Sequence, residues 1–191
     1  MIKKLSKKAS LLSALVLTMA LFAGCSNEKE NQKVADIEVK TIATKELQDK
    51  LSDDSWVVVD TRINDAFNGW KLDEVERGGH IKGAVDFSAN WLTVDSKDKE
   101  KTLDKALETK GIEKDKNIVL YDANGKDAKE VANYLSEKGY KNLYTYNVAD
   151  WAKDESLPME SYENYEMIVP ATIVNDILDG KKPETFENSK N

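Results

Sequence analysis

The chain predicts an α/β fold in three layers, a central parallel sheet with helices on both faces. Two runs carry that prediction. Trp56-Val57-Val58-Val59-Asp60 and Asn117-Ile118-Val119-Leu120-Tyr121 are continuously apolar and rich in β-branched residues rather than alternating, the pattern of strands buried on both faces. The third observation is order. Strand-like runs alternate with helical ones, so successive strands are joined by crossovers and pair in parallel.

Each element follows from local pattern. Val34 to Thr41 alternates loosely and reads as a short edge strand. Thr44 to Leu51 reads as a helix with Thr44 as its N-cap. Ile63 to Trp70 is a short helix or turn, and Gly83 to Phe87 a second short strand. Lys97 to Thr109 is a charged helix with Leu103 and Leu107 on one face, ended by Gly111. Its charges form a solvated face. The run 117–121 leads through a polar loop, Asp122 to Lys126, into an amphipathic helix over Asp127 to Lys138. Val131, Tyr134 and Leu135 of that helix point inward, and Gly139 lies just beyond its end. Leu143-Tyr144-Thr145-Tyr146 is the third main strand, and no internal repeat is evident.

Ahead of this body lies an address. Lys3, Lys4, Lys7 and Lys8 precede an apolar stretch from Leu11 to Phe22, then Ala23, Gly24 and the sole cysteine, Cys25. A basic start, a short apolar run and small residues make an export signal. The run is shorter than the ~20 residues a membrane span needs. Leu21-Phe22-Ala23-Gly24-Cys25 resembles the bacterial lipobox, which implies cleavage after Gly24 and acylation of Cys25. Several acyl chains give lasting attachment where one gives marginal binding. Ser26 to Asp36 is polar and charged, the composition of a tether.

Composition narrows the function. Without residues 1–24, 167 residues remain, enough for one domain with a real core. Loss of the four signal lysines takes the formal charge from −7 to −11. So acidic a body has no electrostatic footprint for nucleic acid. It also argues against lying flat on an anionic lipid surface. One thiol permits no disulfide within the chain. One histidine and one cysteine leave no soft-metal site, and no cofactor is implied.

In such sheets ligands bind beyond the carboxyl ends of the strands. Asp60-Thr61-Arg62 follows one buried strand, and Asp122-Ala123-Asn124-Gly125-Lys126-Asp127 joins the other to a helix. Backbone N–H groups of such a loop, with the helix dipole, form an anion cradle. Asp60 and Arg62 hold loops together by ion pairing, with ligand contact as the alternative. Asp122, Asn124 and Asp127 match a calcium loop only in part, because its bidentate glutamate is absent. Asp122 as a phosphoryl acceptor is equally weak, since no aspartate stands two residues later.

Three segments resemble the rhodanese-like domain family. Val57-Val58-Val59-Asp60-Thr61-Arg62 is similar to its strand ending in Asp-x-Arg. Arg77-Gly78-Gly79-His80-Ile81-Lys82-Gly83-Ala84-Val85-Asp86-Phe87 resembles its Gly-His-Ile-x-Gly-Ala signature. Asn117 to Tyr121, the loop, the helix ending in Lys138-Gly139-Tyr140 and the strand through Tyr146 form the third. Together they span about Thr44 to Leu157. The resemblance implies a three-layer rhodanese-like domain whose active members carry a cysteine first in the loop, charged with sulfane sulfur as a persulfide. Such chemistry needs an activated thiolate. Here that place is held by Asp122, with Lys126 as its pairing partner. The Tyr121-Asp122 pair resembles the non-catalytic first module of tandem rhodaneses. Asn147-Val148-Ala149-Asp150-Trp151 stands where the family often has Gly-Gly before Trp. His80, within the signature, takes a structural hydrogen-bonding role.

The expected organisation is a lipoprotein signal over 1–24, lipidated Cys25 and a tether over 25–40, the domain over 41–158, and an extension over 159–191 with a helix and a polar end. Tyr165 to Val174 and the helix to Asp179 resemble the lead-in to a second module, which points to a tandem protein that has lost its catalytic half or to a truncated gene product. A C-terminal helix packed on the single domain is the alternative. The expectation is a lipid-anchored module on the extracytoplasmic face of a bacterial membrane, without catalysis of its own, binding a protein partner or a small anionic ligand. The alternative is a sulfurtransferase acting through a second module or chain. A transporter's solute-binding lipoprotein is disfavoured, because one small domain has no second lobe to close on a ligand.

Overall fold

The computed structural model describes residues 39–169 and 171–181. The signal, Cys25, the polar run 26–36, the polar end 187–191 and most of the strand read over 34–41 lie outside those residues. In chain order the strands are β1 (Lys40–Thr41), β2 (Trp56–Asp60), β3 (His80–Ile81), β4 (Val85–Asp86), β5 (Asn117–Asp122), β6 (Leu143–Asn147) and β7 (Met159–Glu160). The helices are α1 (Thr44–Lys50), α2 (Asn64–Asn68), α3 (Lys99–Thr109), α4 (Lys126–Glu137), α5 (Val148–Ala152) and α6 (Ala171–Leu178). Two short 3₁₀ turns cover Ala89–Thr93 and Tyr165–Met167.

Five strands make one parallel sheet in the order β1-β6-β5-β2-β4. β3 and β7 form a separate antiparallel pair. β5 is central, hydrogen-bonded to β2 on one side and β6 on the other. That position explains its sequence: Ile118, Val119, Leu120 and Tyr121 are all fully buried, because both of its faces are covered.

Period-2 geometry sorts these residues into two layers. Val59, Ile118 and Leu120 meet Leu103 and Leu107 of α3 and Val131 and Leu135 of α4. Val58, Val119 and Tyr121 meet Leu47 of α1 and Val148 and Trp151 of α5 on the other face. Tyr134 is only partly buried; its ring stacks beside Phe87. Among the described residues, no helix is long and apolar enough to cross a membrane.

Two local readings change. Thr44 does not cap α1. The N-cap is Ala43, and Thr44 is the first helical residue, its hydroxyl 2.9 Å from the Tyr146 hydroxyl. A cross-element partner took the side chain that local pattern assigned to the helix end. The short strand read over Gly83 to Phe87 contracts to β4, and His80–Ile81 ahead of it forms a further strand, β3. Gly79 has φ +89°, and a Cβ there would lie 2.2 Å from the Glu160 carbonyl oxygen. Only glycine lets β7 approach the backbone this closely.

Candidate functional site

The carboxyl ends of β2, β5 and β6 lie side by side. The register pairs Asp60 with Tyr121 and Asp122 with Asn147, so both sequence-predicted loops start from one edge of the sheet. Thr61 fastens the two: its N–H and its hydroxyl both donate to the Tyr121 carbonyl, at 3.0 and 2.9 Å.

Asp60 and Arg62 form a buried bidentate ion pair. Arg62 Nε donates to Asp60 Oδ1 at 2.9 Å and Nη2 to Oδ2 at 2.6 Å, while the Arg62 backbone N–H adds a bond to Oδ1 at 3.0 Å. Nη2 also donates to the Gly79 carbonyl at 2.7 Å, tying the end of β2 to the signature segment. Burial works against the guanidinium charge, but hydrogen bonding and attraction from Asp60 outweigh it and hold the pKa above the ordinary arginine value. The guanidinium carbon lies 5.5 Å from the centre of the Tyr121 ring. The Tyr121 hydroxyl accepts the Ile81 N–H at 3.1 Å. Burial first, and the Asp60 charge second, raise the Tyr121 pKa well above the usual phenol value. These groups face inward, as ties between loops rather than as an open binding surface.

His80 lies beside them. Its Nδ1 is 2.8 Å from the Phe67 carbonyl, and since a carbonyl only accepts, the proton is on Nδ1. The ring stacks on Phe67 with centroids 3.8 Å apart.

The loop after β5 is arranged around Asp122. Its Oδ1 accepts the Gly125 N–H at 2.7 Å, and its Oδ2 accepts those of Asp127 at 2.8 Å and Ala128 at 3.1 Å. Gly125, the N-cap of α4, has φ +81°, which turns the chain so that these amides converge. The amide cradle is therefore formed, and the chain's own carboxylate occupies it. This corrects the pairing with Lys126: the partners of Asp122 are the backbone amides of Gly125, Asp127 and Ala128, and the backbone N–H of Lys126 itself donates to Asn124 Oδ1 at 3.0 Å. Amides win because they are fixed at a helix N-terminus, where the dipole adds to their attraction. The negative charge is felt next door. Burial, then repulsion from Asp122, raises the pKa of Asp127.

Beside the loop is a cleft of about 220 Å³ lined by Thr41, Asp122, Asn124, Thr145, Tyr146 and Asn147. Thr41 and Asn147 enter it from β1 and β6, and no local pattern in the sequence marks them. A more apolar cleft of about 370 Å³, with Trp91, Val94, Leu103 and Ala106 in its walls, shares no residue with this edge of the sheet. Arg77 was likewise unmarked as a support. Its guanidinium donates to the carbonyls of Trp151, Ala152, Asp154 and Leu157 at 2.8–2.9 Å, clamping the turn after α5. Those partners lie 74 to 80 residues away in the chain, out of reach of any local signal.

A family model, Rhodanese-like domain, matches residues 43–152. Solved structures agree at 31% identity. The wild-type structure of EanB aligns with a TM-score of 0.69 over 78% of this chain and 33% of its own. The anaerobic ergothioneine biosynthesis enzyme from Chlorobium limicola, in complex with trimethyl histidine, aligns with a TM-score of 0.68 over 77% of this chain and 34% of its own. A third, an EanB variant with ergothioneine covalently linked with a persulfide cysteine, gives the same figures. The chain thus spans about a third of the length of the solved chains it matches.

Proposed function

The chain belongs to the rhodanese-like domain family, and we propose that it is a non-catalytic member, a binding or regulatory module held by lipid outside a bacterial membrane. In this reading Asp122 stands where sulfur-transferring members carry their cysteine. The observation that supports it is the occupied cradle. Three amides that would stabilise a persulfide anion already bind a carboxylate. A carboxylate oxygen cannot carry sulfane sulfur, and it repels any anion that would replace it. The cleft beside it offers Thr41, Asn124 and Asn147 to a partner protein or a small ligand. Anchoring rests on Lys3, Lys4, Lys7, Lys8, the apolar run 11–22 and Cys25, with 1–24 as signal, 25–40 as lipidated tether, 41–158 as domain and 159–191 as extension.

A second reading, a sulfurtransferase working with another module or chain, draws on the solved relative with a persulfide cysteine and on the length of that relative. A thiosulfate:cyanide sulfurtransferase assay on the full chain separates the two. The expected rate equals the buffer control, and turnover above it overturns the first reading. In Asp122→Cys the thiolate is expected to take the outer sulfur of thiosulfate as a persulfide, breaking the S–S bond and releasing sulfite, so the variant gains one sulfur by mass, because the cradle geometry is already present.

A further inference from the structure

Among the described residues, the large exposed apolar side chains concentrate in one segment. Seven of the eight large exposed hydrophobic residues fall between Tyr162 and Leu178, with Met167 83% and Leu178 78% exposed. The start of this segment is fastened to the domain. The Tyr162 N–H donates to the Asn68 carbonyl at 2.8 Å, Trp70 Nε1 donates to the Ile168 carbonyl at 3.1 Å, and Tyr165 packs edge-on to Trp70. Beyond it, α6 places Val174, Ile177 and Leu178 on one stripe, at i, i+3 and i+4, all exposed. Asn175, Asp176 and Asp179 face away from that stripe, and Lys181 pairs with both acids. A helix of eight residues has little stability of its own in water, so its apolar stripe needs a cover.

We infer that these side chains, Met167, Ile168 and Val169 with Val174, Ile177 and Leu178 of α6, dock into the surface of the lipid bilayer that holds the protein. The inference rests on the reading of Cys25 as the lipid attachment. Thirteen residues separate Cys25 from Val39, and the fourteen Cα–Cα steps between them reach at most about 50 Å. A domain of this size has a radius of gyration of only about 14 Å. The leash therefore lets any face turn to the bilayer, at an effective concentration on the order of millimolar. The face that gains is the apolar one. A second copy of the chain is the poorer cover: it would bring together two strongly acidic bodies, with Glu163 and Glu166 beside the apolar residues. Docking is by apolar insertion and not by charge, so anionic lipid weakens it at low salt.

The test uses the chain extracted from bacterial membranes and reconstituted in phosphatidylcholine vesicles, read by hydrogen exchange. In wild type, amides of 165–180 are expected to exchange at least about tenfold more slowly than in Ile177→Asp/Leu178→Asp, with β5 protected equally in both. Equal exchange of 165–180 in the two proteins overturns the proposal. Protection that rises with the protein-to-lipid ratio assigns the face to a second copy and also overturns it. Intact mass reads acylation of Cys25 separately. An unmodified Cys25 sinks the anchor reading, and coupling its thiol to a maleimide-bearing lipid then tests the docking by itself.

Discussion

Asp122→Ala is the sharpest test of the occupied cradle. The carboxylate accepts three backbone N–H groups at the start of α4. Loss of a capping acceptor costs about 0.5–2 kcal/mol. The three amides are not equivalent. Gly125 is exposed, so water takes over its N–H, whereas Ala128 is fully buried and its N–H is orphaned at a cost of about 1–3 kcal/mol. The expected loss is about 2–4 kcal/mol. With a urea m-value of about 2 kcal/mol/M, the denaturation midpoint falls by roughly 1–2 M. The variant should also gain what the native chain lacks, an open anion cradle. At an order-of-magnitude Kd of ~10 mM, 100 mM sulfate returns about 1.4 kcal/mol beyond its general salting effect on the native protein. Urea melts followed by circular dichroism, with and without sulfate, measure both. A loss below about 0.5 kcal/mol, together with identical sulfate responses of variant and native protein, would refute the argument that Asp122 is the cradle's ligand.

Two further outcomes follow from the buried network. Asp60→Ala leaves Arg62 charged and unpaired inside the protein and is expected to cost about 3–5 kcal/mol in urea melts. The Asp60→Ala/Arg62→Ala double variant should lose less than the sum of the single losses, and additive losses would show that the pair is not coupled. Tyr121 gives a pH dependence. Its folded pKa is raised, by burial and then by the Asp60 charge, so the stability it supports is intact below the ordinary phenol pKa near 10 and declines as pH rises above it. Urea midpoints should fall more steeply above pH ~10 in the native protein than in Tyr121→Phe, and equal slopes would remove Tyr121 from the account.

The fold was legible where the physics is local or strongly periodic. The runs 56–60 and 117–121 announce strands covered on both faces because a half-exposed strand does not keep four apolar residues in succession. α3 and α4 are readable from the spacing of Leu103 and Leu107 and of Val131 and Leu135. The antiparallel pair of β3 and β7 was not legible. It joins two-residue strands about 80 positions apart, too short to carry a pattern. The Thr44 cap was misread because the competing partner, Tyr146, is 102 residues away.

The candidate loop divides in the same way. Its composition and its place between an apolar strand and an amphipathic helix already make it an amide cradle, because N–H groups at a helix start lack partners whatever else the protein does. Which anion fills that cradle depends on where the Asp122 carboxylate points and on how Gly125 turns the chain toward it. That is settled by the register of β5 between β2 and β6 and by a left-handed φ at one residue, both set only when the domain packs. The sequence alone determined that the domain has no thiol beyond Cys25. Only the tertiary structure decided that a carboxylate is seated among the amides, because convergence of three N–H groups on two oxygens is a property of the folded backbone and not of the order of residues.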